Sequence, residues 1–137
     1  MSALVVDSSV ALSWCFDDEA SSATEALLDE VSTKGAVVPG LWHLELANVL
    51  LRAEQRGRHI PEGIAARLDY FGRLPITTDD ETVGRAWRET LTLARAERLT
   101  MYDASYLELA LRRGLPLATK DGALAAAAKR VGVTVLP

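Results

Sequence analysis

Leu4-Val5-Val6-Asp7-Ser8-Ser9-Val10 joins an unbroken apolar run to an acid and then to two serines. The run does not alternate with polar residues. That pattern suits a short parallel strand covered on both faces, here residues 3–6. A helix start is expected over 8–16, and Asp17-Asp18-Glu19 reads as an exposed break.

Outward from this stretch, strands and helices alternate. Residues 20–31 predict a helix, with Ala23, Leu27 and Val31 on one face and Gly35 as its stop. Ala36-Val37-Val38 is a second strand, ended by Pro39-Gly40. Residues 41–55 form the next helix, and Pro61 opens another that runs to about Gly72. Leu74-Pro75-Ile76 is a weak third strand. Thr78-x-x-Glu81 reads as a capping box for a helix reaching about Arg98. Then come a helix over 102–113, a strand over 116–119, a helix over 123–130 and a strand over 133–136. This order predicts an α/β fold on a mostly parallel sheet. The 137 residues carry no internal repeat or linker, so 1–137 reads as one domain.

Composition narrows the function classes. Net charge is −4, which argues against a general nucleic-acid coat protein but leaves open an enzyme that meets nucleic acid locally. One cysteine, Cys15, permits no internal disulfide and fits a reducing cytosol. With two histidines beside it, a zinc site of the usual kind is not expected. No secretory signal and no apolar stretch of membrane-spanning length is read, so a cytoplasmic protein is expected.

Four acids sit where acids are awkward for folding: Asp7, Glu45, Asp103 and Asp121. Asp7 and Asp121 follow predicted strands, and in open α/β sheets that edge binds ligands. Either could equally be a helix N-cap. Glu45 shares a helix face with Leu41, Val49 and Ala53, which sets a carboxylate in an apolar stripe or at its margin. Asp103 heads a helix whose inward face is read as Leu107, Ala110 and Leu111, although Thr100-x-x-Asp103 also fits a capping box. Asn48, one turn from Glu45, could orient it, and Thr119 could offer a hydroxyl beside Asp121. Convergent carboxylates repel by roughly 4 kcal/mol per close pair at moderate dielectric. Such a cluster needs protons or cations, and oxygen-only ligands select Mg²⁺ or Mn²⁺. One or two such ions activate a water and stabilise a leaving oxygen, which points to phosphodiester hydrolysis.

Four blocks together resemble a known family. They are Val5-Val6-Asp7-Ser8-Ser9-Val10, Leu44-Glu45-Leu46-Ala47-Asn48-Val49-Leu50, Tyr102-Asp103-Ala104-Ser105-Tyr106-Leu107 and Leu117-Ala118-Thr119-Lys120-Asp121. In order and separation they resemble the motifs of PIN-domain ribonucleases, most closely the VapC toxins of toxin–antitoxin pairs. The resemblance implies a three-layer fold with about five strands, and Mg²⁺- or Mn²⁺-dependent endonucleolytic cleavage of RNA. It also implies a homodimer silenced by a VapB-like antitoxin. By position, Asp7 and Asp103 would be the principal metal ligands. Glu45 and Asp121 would bind a second ion or hold its water, with Ser9 and Thr119 in support. Ser105 stands where the family often has alanine.

Two rivals use the same acids. An aspartyl-phosphate enzyme would use Asp7 as nucleophile, but it usually wants a second acid two residues on, where this chain has Ser9. A module that binds Mg²⁺ without cleavage is the other. Arg52, Arg56, Arg58 and His59 could grip an RNA backbone or an acidic partner, or could be a solvated helix end. Trp14, Phe16, Trp42 and Trp87 read as core or interface anchors rather than base-stacking platforms.

Overall fold

A computed structural model describes residues 2–60 and 62–137. The expected helix start at Pro61 lies outside the described residues. Five short strands form one sheet: β1 (Leu4–Val6), β2 (Ala36–Val38), β3 (Ile76–Thr78), β4 (Leu117–Ala118) and β5 (Val135–Leu136). Every pairing is parallel, and the order is β3-β2-β1-β4-β5. The expected α/β class with a parallel sheet is therefore present.

The three central strands, β1, β2 and β4, are viable at two or three residues because they are buried from both sides, whereas the edge strands β3 and β5 are partly exposed. Leu4, Val5, Val6, Ala36, Val37, Val38, Leu117 and Ala118 are all fully buried. The covering helices are α1 (Ser8–Ser13), α2 (Ser22–Lys34), α3 (Leu41–Gln55), α4 (Ile64–Arg73), α5 (Thr82–Arg85), α6 (Leu91–Glu97), α7 (Met101–Arg113) and α8 (Gly122–Arg130). A π-helical stretch, Ala86–Thr90, joins α5 to α6. The most deeply set helix is α7, buried at every position from Ala104 to Ala110. Its buried stretch is apolar except for Ser105 and Glu108, whose polar atoms find partners in the Tyr102 carbonyl and Arg112, and α7 contacts β1, β4, α6 and α8. It stops at Gly114, where φ of +64° favours glycine.

Several expectations need correction. Asp17–Glu19 is a 3₁₀ turn, not a plain break. β3 lies two residues later than expected, because its partner register sets it: Ala36 pairs with Ile76 and Val38 with Thr78. Pro75 has no N–H to donate, and its carbonyl accepts from the Ala36 N–H instead. The Thr78–Glu81 capping box does not form. Asp79 takes its place, accepting from the Glu81 N–H and the Thr82 hydroxyl. On α3 the buried stripe is Trp42, Leu46, Leu50 and Ala53, so Leu41, Glu45 and Val49 sit at its margin. Leu111, expected to face inward, is 42% exposed, because α7 leaves the core there. Among the described residues no helix is long and apolar enough to cross a membrane.

Candidate active site

The chain leaves β1 for β2 and β3 on one side, then returns to β4 and β5 on the other. The carboxyl ends of β1 and β4 therefore lie side by side at a reversal of strand order, where open parallel sheets form crevices. Val6 pairs with Ala118, and the Asp7 N–H donates to the Ala118 carbonyl at 3.1 Å. The next residues of both strands, Asp7 and Thr119, emerge together.

Asp7 is 5% exposed and is gripped from both oxygens. Oδ1 accepts from the Ser9 hydroxyl at 2.5 Å and the Val10 N–H at 3.2 Å. Oδ2 accepts from the Thr119 hydroxyl at 2.5 Å. Ser9 Oγ in turn accepts from the Lys120 N–H at 2.9 Å, and Thr119 Oγ1 from the Asp121 N–H at 3.0 Å. Two hydroxyls thus stitch the β1 exit to the β4 exit through one carboxylate. Burial pushes the Asp7 carboxyl above its ordinary range, outweighing the opposing pull of Ser9, Thr119 and Val10.

Glu45, half-buried on α3, accepts from the Tyr106 hydroxyl on α7 at 2.5 Å. Burial is the main reason its carboxyl is raised; Tyr106 opposes this, and repulsion from Asp103 and Asp7 adds to it. Asp103, in the first turn of α7, is raised by burial and then by Asp121 and Asp7. Half of the expected box forms there: Thr100 Oγ1 accepts the Asp103 N–H at 3.1 Å. The Asp103 carboxylate itself takes no part in that cap. Asp121 is exposed and caps α8 through the Leu124 N–H at 2.8 Å. The structure thus gathers Asp7, Glu45 and Asp103: Asp7 repels both of the others, Asp103 repels Glu45, and Asp121 repels Asp103. Asn48 is exposed one turn along from Glu45.

A second acidic group was not anticipated. Asp79, Asp80 and Glu81 bring carboxylate oxygens within 4.8 Å of one another, a grouping that could hold a metal ion. Among the described residues the other four acids do not bring three oxygens so close. Their chemistry differs, however. Arg112 donates to both oxygens of Asp79, at 3.0 and 2.7 Å, and also to both of Glu108. Arg112 holds the Asp79 carboxyl down at about 2. Asp79 already has a cation from the chain itself; among the described residues Asp7, Glu45 and Asp103 have none within ion-pair distance.

Tyr106 also escaped the sequence reading, although its place three residues after Asp103 puts both on one helix face. Of the cations considered for an RNA or partner contact, Arg58 is committed elsewhere. It pairs with Asp18 and Glu19 at 2.7 and 2.9 Å and lies over the Phe16 ring. Trp14, Phe16 and Trp42 are core residues, whereas Trp87 is 90% exposed.

Comparison with known proteins places these features. The family model described as PIN domain matches residues 4–130. No curated protein matches the chain. The crystal structure of PAE2754 from Pyrobaculum aerophilum is similar, with a TM-score of 0.71 at 24% identity, over 98% of this chain and 90% of that one. At that identity the likeness is one of fold.

Proposed function

Because the chain belongs to the PIN domain family, whose members are generally divalent-metal-dependent nucleases, we propose that it is a Mg²⁺-dependent endoribonuclease, the toxin of a VapBC-type pair. The observation that carries this reading is the set of Asp7, Glu45 and Asp103 at the carboxyl edge of the sheet: Asp7 is held by the Ser9 and Thr119 hydroxyls and raised by burial, and Glu45 and Asp103 are raised by burial and by neighbouring acids that include Asp7. An all-oxygen, anionic donor set of this kind fits a hard divalent cation. Asp7 and Asp103 would be the principal ligands, with Glu45 and Asp121 completing the set; Mn²⁺ would substitute for Mg²⁺. The ion supplies activation of the attacking water and charge neutralisation at the leaving oxygen.

The chain's own residues prepare that site. Ser9 and Thr119 hold both oxygens of Asp7, which fixes its carboxylate plane. Thr100 absorbs a free N–H of the α7 first turn and leaves the Asp103 side chain uncommitted. The proposal includes a homodimer and a VapB-like antitoxin as partners and RNA as substrate.

Two assays test it. Purified chain is incubated with a panel of RNAs in Mg²⁺, Mn²⁺ or EDTA, beside Asp103→Asn. Mn²⁺ binding is measured separately by calorimetry. Cleavage is expected with either metal, and its loss with EDTA and with the variant. Undiminished cleavage by Asp103→Asn would remove the metal mechanism; Mn²⁺ binding without cleavage of any RNA would favour a binding module.

A further inference from the structure

Tyr106 is 1% exposed, and its ring belongs to the core. A hydroxyl carried that deep needs a partner. The partner is neither backbone nor a neighbour in sequence. It is Glu45 Oε1, 61 positions away and on another helix, at 2.5 Å. We infer that Tyr106 is a positioning residue, whose hydroxyl holds the Glu45 carboxylate toward Asp7 and Asp103 for the ion. The inference rests on the proposed function.

The direction of the dependence follows from charge. Were Glu45 present only to satisfy a tyrosine, a neutral acceptor would serve better. Glutamine would accept the same hydrogen bond without repulsion from Asp7 and Asp103, which Glu45 bears. The tyrosine, in contrast, has reason to be there. Glu45 sits at the margin of the α3 stripe with solvent within reach. A long acidic side chain so placed swings outward to hydrate its charge and keep its rotamer freedom. A rigid buried ring ending in a donor counters that swing. Helix α7 thereby contributes twice, with Asp103 in its first turn and a brace for Glu45 one turn further on.

Tyr106→Phe keeps the ring and deletes the donor, and Glu45 can then hydrate, so the variant should fold. Outer partners of metal ligands typically carry about tenfold or more in metal affinity or activity. Calorimetric Mn²⁺ affinity and RNA cleavage are both expected to fall about tenfold, with little change in Tm. In a Glu45→Ala background the same substitution should change neither, because no carboxylate is left to hold. Unchanged Mn²⁺ affinity in Tyr106→Phe, or an equal fractional loss in both backgrounds, would overturn the role. If the wild-type chain binds Mn²⁺ but cleaves no RNA, the nuclease reading falls while the affinity comparison still decides the tyrosine. If it binds no Mn²⁺, both fall.

Discussion

Asp7 and Asp79 are about equally buried, at 5% and 6% exposure, yet their carboxyls shift in opposite directions. Asp79 faces Arg112 and stays ionised to about pH 2. Asp7 faces two hydroxyls and an N–H, and burial raises it. Hydroxyl donors orient a carboxylate without neutralising it, so its charge stays available to an external cation. The same logic makes Asp103 the cleanest position to test. Its carboxylate serves no cap, whereas an amide at position 7 would set its N–H₂ against the Ser9 or Thr119 hydroxyl. In metal-free buffer Asp103→Asn should melt about 2–5 °C above wild type, since like-charge repulsion falls by roughly 1 kcal/mol. A calorimetric scan in EDTA checks this, and a lower melting point would contradict it. Asp7 and Asp121 show why sequence alone left two readings open. Each caps a helix and each also stands at the strand-end cluster. The local rule for a cap and the chemical rule for a ligand ask for the same residue type at the same place. Only the other carboxylates, remote in sequence, separate the two.

Helix α7 links the site to the rest of the fold. Asp103 and Tyr106 lie near its start, and Arg112 at its end grips Asp79 just past β3. Long helices were legible because glycines and apolar periodicity mark them, as at Gly35 and Gly114. The bounds of β3 were not, because three residues carry no period and its register is decided by β2. The Asp79–Arg112 pair was invisible for the same reason: 33 positions separate its members. Its contribution has a defined pH window. Asp79 has a folded value of about 2 against an ordinary 3.8, so the unfolded chain takes up the proton first as pH falls. The stabilisation is complete above about 3.8 and is lost as pH drops through about 2. Its size is about 2 kcal/mol. Urea unfolding of wild type and Asp79→Asn from pH 2 to 6 should show a difference that is constant above about pH 4 and shrinks toward pH 2. A difference independent of pH would exclude the ion pair as its source.

At the scale of the whole molecule, Trp14, Phe16, Trp42, Phe71 and Tyr106 are buried, whereas Trp87 and Tyr102 stand exposed along one groove. Leu44, Val83, Trp87 and Tyr102 are 76%, 89%, 90% and 64% exposed and border a depression of about 830 Å³. Clustered apolar exposure of this kind on a small protein marks an interaction surface. The groove adjoins the acids, since Leu44 precedes Glu45 and Tyr102 precedes Asp103. In the proposed homodimer, an isologous contact across this groove would cover all four side chains and set two carboxylate sites side by side. Trp87 is the natural anchor, being the largest and most exposed of the four. Sedimentation equilibrium should therefore give twice the 14.8 kDa chain mass at micromolar concentration. Trp87→Glu would place a desolvated charge at the centre of the contact twice over, a cost of several kcal/mol that a dimer of ordinary affinity does not survive. That variant is expected to sediment as a monomer with its far-ultraviolet spectrum unchanged. Its melting temperature should lose the concentration dependence that a dimer imposes on wild type. A wild-type chain that stays monomeric at several hundred micromolar would overturn the groove as a dimer contact.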